Sequence, residues 1–370
     1  MSCKWKECTL GDLITFQRGH DLPKNKMTDG KYPVVGSNGI IGYHNEYTTE
    51  SPSITIGRSG NVGNPFIFYG RTWSHNTTLY VKDFKGNDPV FVFYFLKTLD
   101  LVNYSGGSAV PTLNRNHIHT LPIKVPESAE IQKKIGYYLR LLDEKIATNR
   151  AINDNLYEMV NAYYTSLFKD VECEMTTIDN YAERIYSGGT PATSNATYWG
   201  GAFGWFSSGE TRNRFVISTE KSITQTGIDN SSTKLAAKHD IVMASAGQGF
   251  TRGQTSMLLI DTYVNQSVIV IHADKNTIPY LFWNLANRYE ELRAISDSSS
   301  IRGSLTTKMI AAFEIPLANN DAIQTFSDFA WAVIPKIENN LLENVRLAAL
   351  RDSLLPKLMS GEIDVSAVQL

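Results

Sequence analysis

The feature that most limits how this chain can fold is a long amphipathic run, residues 131–167, that occurs twice. Ile135, Leu142, Asn149, Leu156 and Tyr163 recur every seven residues, as do Leu139, Ile146, Asn153, Val160 and Leu167, which makes one seam on a helix with two polar interruptions. Adding 191 gives Phe326, Val333, Asn340, Leu347 and Leu354 for the first set. For the second it gives Ala330, Ile337, Asn344, Arg351 and Leu358, so the paired asparagines reappear in the same two places. A run of this length makes a helix of about 55 Å, which cannot bury its seam alone. The economical arrangement is that the two helices pack on each other. Because Asn149/Asn153 and Asn340/Asn344 sit at the midpoints of their runs, an antiparallel pair sets asparagine against asparagine, a polar device that fixes register.

The segments before each run share a plan. Residues 1–126 read as short strands punctuated by turns such as Gly36-Ser37-Asn38-Gly39 and Arg58-Ser59-Gly60-Asn61. Val90–Leu101 follows Asn87-Asp88-Pro89 and predicts a buried helix. A Gly106-Gly107-Ser108-Ala109-Val110 loop, a closing strand at Leu121–Val125, and Pro126 with Ser128 to cap the first long helix complete the segment. Residues 171–316 repeat the order: Thr177–Ile185 echoes Thr9–Phe16, Pro279–Leu292 is the counterpart helix, and Ser300–Leu305 matches the Gly106 loop. Asn320-Asp321 is then expected to cap the second helix, with Gln324 placed for a capping box. Pro335 falls where the first run has Glu144, and a kink or break is expected there. The organisation is residues 1–126 as a first globule, 127–170 as a central helical spacer, 171–317 as a second globule and 318–365 as a distal spacer. The fold class is α+β with pseudo-twofold symmetry: two α/β globules, mainly β with short helices, joined by two long helices in an antiparallel coiled coil.

Composition narrows the function. No run approaches the roughly 18 apolar residues of a membrane span, and MSCKWKECTL has no apolar signal core, so a cytoplasmic protein with no membrane partner is expected. Cys3, Cys8 and Cys173 form no CxxC and are read as structural thiols in a reduced compartment. Net charge is −2, but residues 1–126 carry 13 Lys+Arg against 9 Asp+Glu and five of the seven histidines. If DNA is the ligand, that modest excess leaves much of the phosphate contact to a partner.

The globule opening SGGTPATSNATYWGGAFGWFSSGE, the closing Ile-Pro and the distal helix ending LRDSLLPKLMSGEI resemble the specificity subunit of type I restriction–modification systems. The first globule, with YPVVGSNGIIGYHNEY and WSHNTTLYV, is similar to target-recognition domains of that family. The likeness spans residues 4–365, though AEIQ stands where a Glu-Gln pair is commoner. It implies two target-recognition domains that each read half of a split double-stranded DNA sequence. It also implies two methyltransferase subunits as partners and, in the larger assembly, restriction/translocase subunits, so S-adenosylmethionine, ATP and Mg are expected only in those partners.

The residues themselves carry no catalytic set. Asn64-Pro65-Phe66 is one proline short of a base-holding element and reads as a turn; there is no phosphate-binding GxxxxGK[ST]. Asp83 and Lys85 read as a solvated loop. His117 and His119 share a face if they lie on a strand, but no metal is expected there: no carboxylate or thiol stands at ligand spacing, and polar residues there suit phosphate or a neighbouring subunit. What remains is base reading by side chains able to make paired hydrogen bonds. The candidates are Ser37, Asn38, His44, Asn45, Arg58, Arg71, His75 and Asn76 in the first globule. In the second they are Ser207, Ser208, Glu210, Arg212, Arg214, Gln248, Arg252 and Gln254. Trp199, Trp205 and Phe206, flanked by glycines, are read as packing aromatics rather than base-stacking platforms. The competing readings are a stand-alone methyltransferase or nuclease, which predicts methyl transfer or cleavage by the chain alone, and a coiled-coil adaptor for protein or carbohydrate, which predicts no specific DNA protection.

Overall fold

The computed structural model describes residues 4–106, 111–169, 174–247, 249–298 and 303–368. Four helices organise it: α1 (Pro89–Thr98), α2 (Ala129–Phe168), α3 (Ile278–Asn287) and α4 (Asn320–Ser360). Two compact units form, residues 1–147 with 345–370 and residues 148–344. Each therefore combines one globule with one stretch of both long helices, because the apolar seams need a globule core as well as each other.

In the first unit a four-stranded antiparallel sheet runs in the order Thr15–Arg18, Thr78–Asp83, Ser53–Gly57, Pro65–Phe68. A three-stranded sheet orders Gly39–His44, Tyr32–Gly36, Trp73–Ser74, and Trp5–Thr9 pairs with Pro122–Pro126. Helix α1 starts as expected: Pro89 takes the first turn and the Asp88 carboxylate accepts the Phe91 N–H at 2.8 Å. Its apolar residues join Ile135 and Leu139 of α2 and Leu358 and Met359 of α4 in one core. Gln132 is fully buried where α2 meets this globule. It accepts the Asp88 N–H at 3.0 Å and donates to Asn87 Oδ1 at 2.8 Å and the Pro126 carbonyl at 3.0 Å. Asp143 accepts from the Tyr94 hydroxyl at 2.6 Å and the Arg351 guanidinium at 2.5 Å, tying α1, α2 and α4 together.

The second unit repeats these sheets with additions. Ala182–Ser187, Val268–Ala273, Ile241–Ala244 and Thr255–Leu258 match the four-stranded sheet, and Phe215–Val216 extends it as a parallel fifth strand. Trp199–Phe206 and Thr262–Val264 pair in parallel, as Tyr32–Gly36 and Trp73–Ser74 do in the first unit. Here Tyr157, Val160 and Tyr164 of α2 and Phe326, Ala330 and Ile337 of α4 are buried with Trp283 of α3.

The helices are antiparallel within each unit, since rising numbers on α2 meet falling numbers on α4: Asp143 with Arg351, Asn149 with Asn344, Asn153 with Asn340, Tyr163 with Phe329. Asparagine meets asparagine, and the pairs are crosswise. Asn149 donates to Asn344 Oδ1 at 3.0 Å and to Glu343 Oε2 at 2.7 Å, and Asn340 donates to Asn153 Oδ1 at 2.7 Å. Two expectations need correction. Helix α4 runs through Pro335 unbroken. Pro335 stands on the exposed face, where the carbonyl that loses its donor can be hydrated. The cap of α4 is Asn319, whose Oδ1 accepts the Asp321 N–H at 2.8 Å. Gln324 donates to Asp328 at 2.8 Å, so no capping box forms. Cys8 is a half-buried free thiol; Cys3, Cys173 and residues 107–110 and 299–302 of the two loops lie outside the described residues.

Candidate nucleic-acid interface

A backbone frame recurs in both units. In the first, His75 N–H donates to Val35 O at 2.9 Å, Arg58 N–H to Thr77 O at 2.8 Å, Leu113 N–H to Arg58 O at 2.8 Å, and His20 N–H to Ser74 O at 2.7 Å. In the second, Asn265 N–H donates to Phe206 O at 3.1 Å, Ser245 N–H to Ser267 O at 2.9 Å, Leu305 N–H to Ser245 O at 2.8 Å, and Gly189 N–H to Val264 O at 3.1 Å. The same strand ends and loops converge twice, held by main-chain bonds that do not depend on the projecting side chains.

In the first unit the frame gathers four candidates around Thr77. Ser37 donates its N–H to Thr77 Oγ1 at 3.3 Å, His75 Nδ1 lies 3.1 Å from the same oxygen, Arg58 is bonded through its backbone, and Asn76 sits next in the turn with its amide on the Asp21 carboxylate. Asn38 is exposed at the tip of the Tyr32–Gly36/Gly39–His44 hairpin, which closes on Gly39 with φ +97°. The other three candidates are remote from Thr77, at or beyond the far end of that hairpin. His44 is buried, its Nδ1 engaged by the Thr28 N–H at 3.2 Å and hydroxyl at 3.1 Å, its ring edge-on to Trp73. Asn45 is exposed, and Arg71 is committed to Glu50 at 2.8 Å and to the Tyr47 face at 4.5 Å.

In the second unit several candidates hold the frame instead of projecting from it. Glu210 is 3% exposed; its carboxylate accepts the Ser207 N–H at 2.8 Å, the Ser207 hydroxyl at 3.1 Å and the Glu220 N–H at 2.8 Å. Ser208 is half-buried, and its carbonyl takes the Thr211 hydroxyl. Arg252 is 7% exposed and binds Asp297 and the Gly303 carbonyl. Arg212 is exposed and paired with Glu220, while Arg214 lies 4.1 Å over Tyr157 and 3.9 Å from Asp154. With Asn153 and Tyr289, Gln254 and Arg214 help line a cleft of about 630 Å³. Gln248 lies outside the described residues. Trp205 and Phe206 are buried, with Trp205 donating to Gly189 O at 3.2 Å, and Trp199 packs edge-on against Trp205.

Asn265 and Gln266, absent from the candidates, occupy the turn that matches His75 and Asn76. Gln266 is exposed and takes the Thr190 hydroxyl, as Asn76 meets Asp21. The signal was present: WSHNTTLYV and YVNQSVIVI align at an offset of 190. His117 and His119 belong to a short helix, Arg115–His119, not a strand, so a spacing of two puts them on different faces. His119 Nε2 accepts the Phe16 N–H at 3.0 Å, and burial with the nearby Arg115 and Lys85 charges pulls its pKa down. Lys85 and Asp83 form a turn, the carboxylate accepting the Lys85 N–H at 2.8 Å. Among the described residues no helix is long and apolar enough to cross a membrane.

Comparison with known proteins agrees with this geometry. The family described as type I restriction modification DNA specificity domain matches residues 3–158 and again residues 172–347. A type I restriction enzyme specificity subunit of Escherichia coli is 24% identical over 334 residues, covering 84% of this chain and 82% of that protein. The HindI specificity subunit of Haemophilus influenzae is 21% identical over 359 residues, covering 74% and 77%. The crystal structure of a type I restriction–modification S subunit from M. genitalium has the same fold, with a TM-score of 0.67 at 16% identity and 96% of each chain covered. A domain matched twice, a backbone frame built twice and two antiparallel helices place this chain in the family of type I restriction modification DNA specificity proteins.

Proposed function

We propose that the chain is the sequence-reading subunit of a type I restriction–modification complex, each globule reading one half of a bipartite double-stranded DNA target. The observation that carries this is the repeated frame with unlike side chains: Ser37, Asn38, Arg58, His75 and Asn76 on one, and on the other exposed Gln266 and half-buried Ser208, with Ser245 and Asn265 buried at the positions of Arg58 and His75. A fixed backbone with exchangeable polar residues suits paired hydrogen bonding to different base edges. Half-sites on one face of the duplex lie about 34–36 Å apart or a multiple of that, and the long helices are the elements that set this gap. The chain also positions two methyltransferase subunits over the adenines to be flipped, with restriction/translocase subunits joining the full assembly. Its role is non-catalytic, with S-adenosylmethionine, ATP and Mg belonging to those partners, and its place of action is the cytoplasm.

The test exchanges residues 171–317 for the same segment of another specificity subunit and maps methylated sites in a host that also expresses the methyltransferase. One half-site is expected to change. A change in both halves, or methyl transfer by the purified chain alone, sinks the proposal.

A further inference from the structure

A second feature of the first unit lies beside the base-facing residues. Arg18, Arg58, Arg115 and His117 line an open cleft of about 520 Å³, with Leu79, Gly106, Thr112, Leu113 and Asn114 forming the rest of its described wall. No described lining residue is acidic. Arg18 is 3.8 Å from the exposed Asp21 carboxylate, and neither Arg58 nor Arg115 has a carboxylate partner among the described residues. Each arginine is carried on a fixed support. Arg18 ends a strand paired to Leu79, Arg58 is bonded through both its N–H and its carbonyl, and Arg115 opens the short helix capped by Asn114. Three guanidiniums around one cleft, with the exposed Asp21 carboxylate 3.8 Å from Arg18 as the one described counter-charge, set up a positive field that favours an anion between them. A guanidinium fork matches the oxygens of a phosphate group.

The second unit lacks this cleft's charge at every matching position. Ser187 pairs with Ile269 as Arg18 pairs with Leu79, Ser245 makes the bonds of Arg58, and Thr307 and Met309 follow the capping Thr306 as Arg115 and His117 follow Asn114. The frame is common to both units, so the charge is not needed to build it.

We propose that this cleft is a phosphate clamp: Arg18, Arg58 and Arg115 together hold one phosphodiester of the DNA backbone, fixing how the first unit sits on its half-site while carrying no sequence information. The proposal rests on the DNA-reading function above and refines it, because it moves Arg58 from reading a base to holding the backbone. It also makes the chain's grip on DNA unequal, with the first unit supplying an electrostatic anchor that the second does not match.

The test uses the full chain with a fluorescein-labelled mixed-sequence DNA duplex, titrated across a range of NaCl concentrations. Arg58→Ala with Arg115→Ala is expected to weaken binding to the same degree on unrelated duplexes. The slope of log K against log [NaCl] is expected to fall in magnitude by about 1, the loss of one phosphate contact. Arg58→Lys with Arg115→Lys keeps the charge and is expected to retain most of the slope. Arg115→Gln alone changes an exposed side chain, and its reduced slope carries the test should the double change unfold the unit. An unchanged slope in the Ala and Gln variants, or a loss confined to one duplex sequence, overturns the clamp while leaving the reading function standing. Wild-type chain that binds no duplex, alone or with methyltransferase subunits, overturns both.

Discussion

The two units make the same backbone frame and place different charge beside it. In the second, Arg212 is tied to Glu220, Arg214 to Asp154 and Arg252 to Asp297. In the first, Arg58 and Arg115 face an open cleft with no such partner among the described residues. The difference teaches that the frame and the presented chemistry are separable. Main-chain hydrogen bonds hold the loops, so side chains above them can change without refolding the domain. The junctions between globule and helices differ too. In the first unit the ties are polar, through Gln132 and the Tyr94–Asp143–Arg351 set. In the second, Asn284 donates to the Tyr164 hydroxyl at 2.9 Å amid an aromatic cluster in which Tyr157 stacks on Trp283, Phe326 meets Trp283 edge-on and Tyr280 tilts against Tyr164.

The largest test of that contrast is the glutamine that starts each long helix. Gln132→Ala deletes a fully buried side chain and three hydrogen bonds, leaving the Pro126 carbonyl and the half-buried Asn87 and Asp88 groups without it, and is expected to lower unfolding free energy by about 3 kcal/mol in urea titration. Gln324→Ala, at the matching but exposed position, is expected to cost less than about 0.5 kcal/mol. Equal effects break the comparison.

The seam asparagines come next. Asn340→Leu or Asn153→Leu alone is expected to cost about 1–2 kcal/mol, because each leaves a partly buried amide without its partner. The double change recovers about 1 kcal/mol of the sum. Changing Asn149 with Asn340, which share no hydrogen bond, is expected to show weaker coupling in the same cycle. Stronger coupling there contradicts the crosswise pairing.

An acid-sensitive element sits in the first unit alone at its position, since Ala311 matches His119 in the second. Folding lowers the pKa of His119, so the unfolded chain takes up its proton first. Its contribution to stability is present above the unfolded value near 6.5 and is lost as pH falls through the folded pKa. His119→Gln, whose amide oxygen still accepts the Phe16 N–H, is expected to flatten the decline in melting temperature between about pH 7 and pH 5. An unchanged pH profile removes His119 from that role. A small effect is also expected of Arg71→Ala: its pair with Glu50 is solvent-exposed, and the change in melting temperature is expected to correspond to less than about 1 kcal/mol.

The periodicity of the long runs carried the antiparallel pairing, because a seam with paired polar interruptions has few ways to be buried. The 191 offset likewise exposed the duplication, and Asn87-Asp88-Pro89 marked the start of α1, since caps act within one turn. Projection from the surface was not legible in the same way. His44, Glu210 and Arg252 are residue types that read bases, yet they are turned inward onto Thr28, the Ser207 turn and Asp297. Burial depends on contacts between residues far apart in the chain, such as the 45 positions between Arg252 and Asp297. Gln266 shows the converse: a single polar residue between strands carries no local sign that its turn meets a second loop, and the alignment with Asn76 at an offset of 190 is the signal that marks it. The sequence by itself determined the repeat, the helix pairing and the family. Only the tertiary structure decided which polar groups are spent holding the frame and which face outward, because that division follows from long-range hydrogen bonds and from where Arg58 and Arg115 stand without an opposing carboxylate among the described residues.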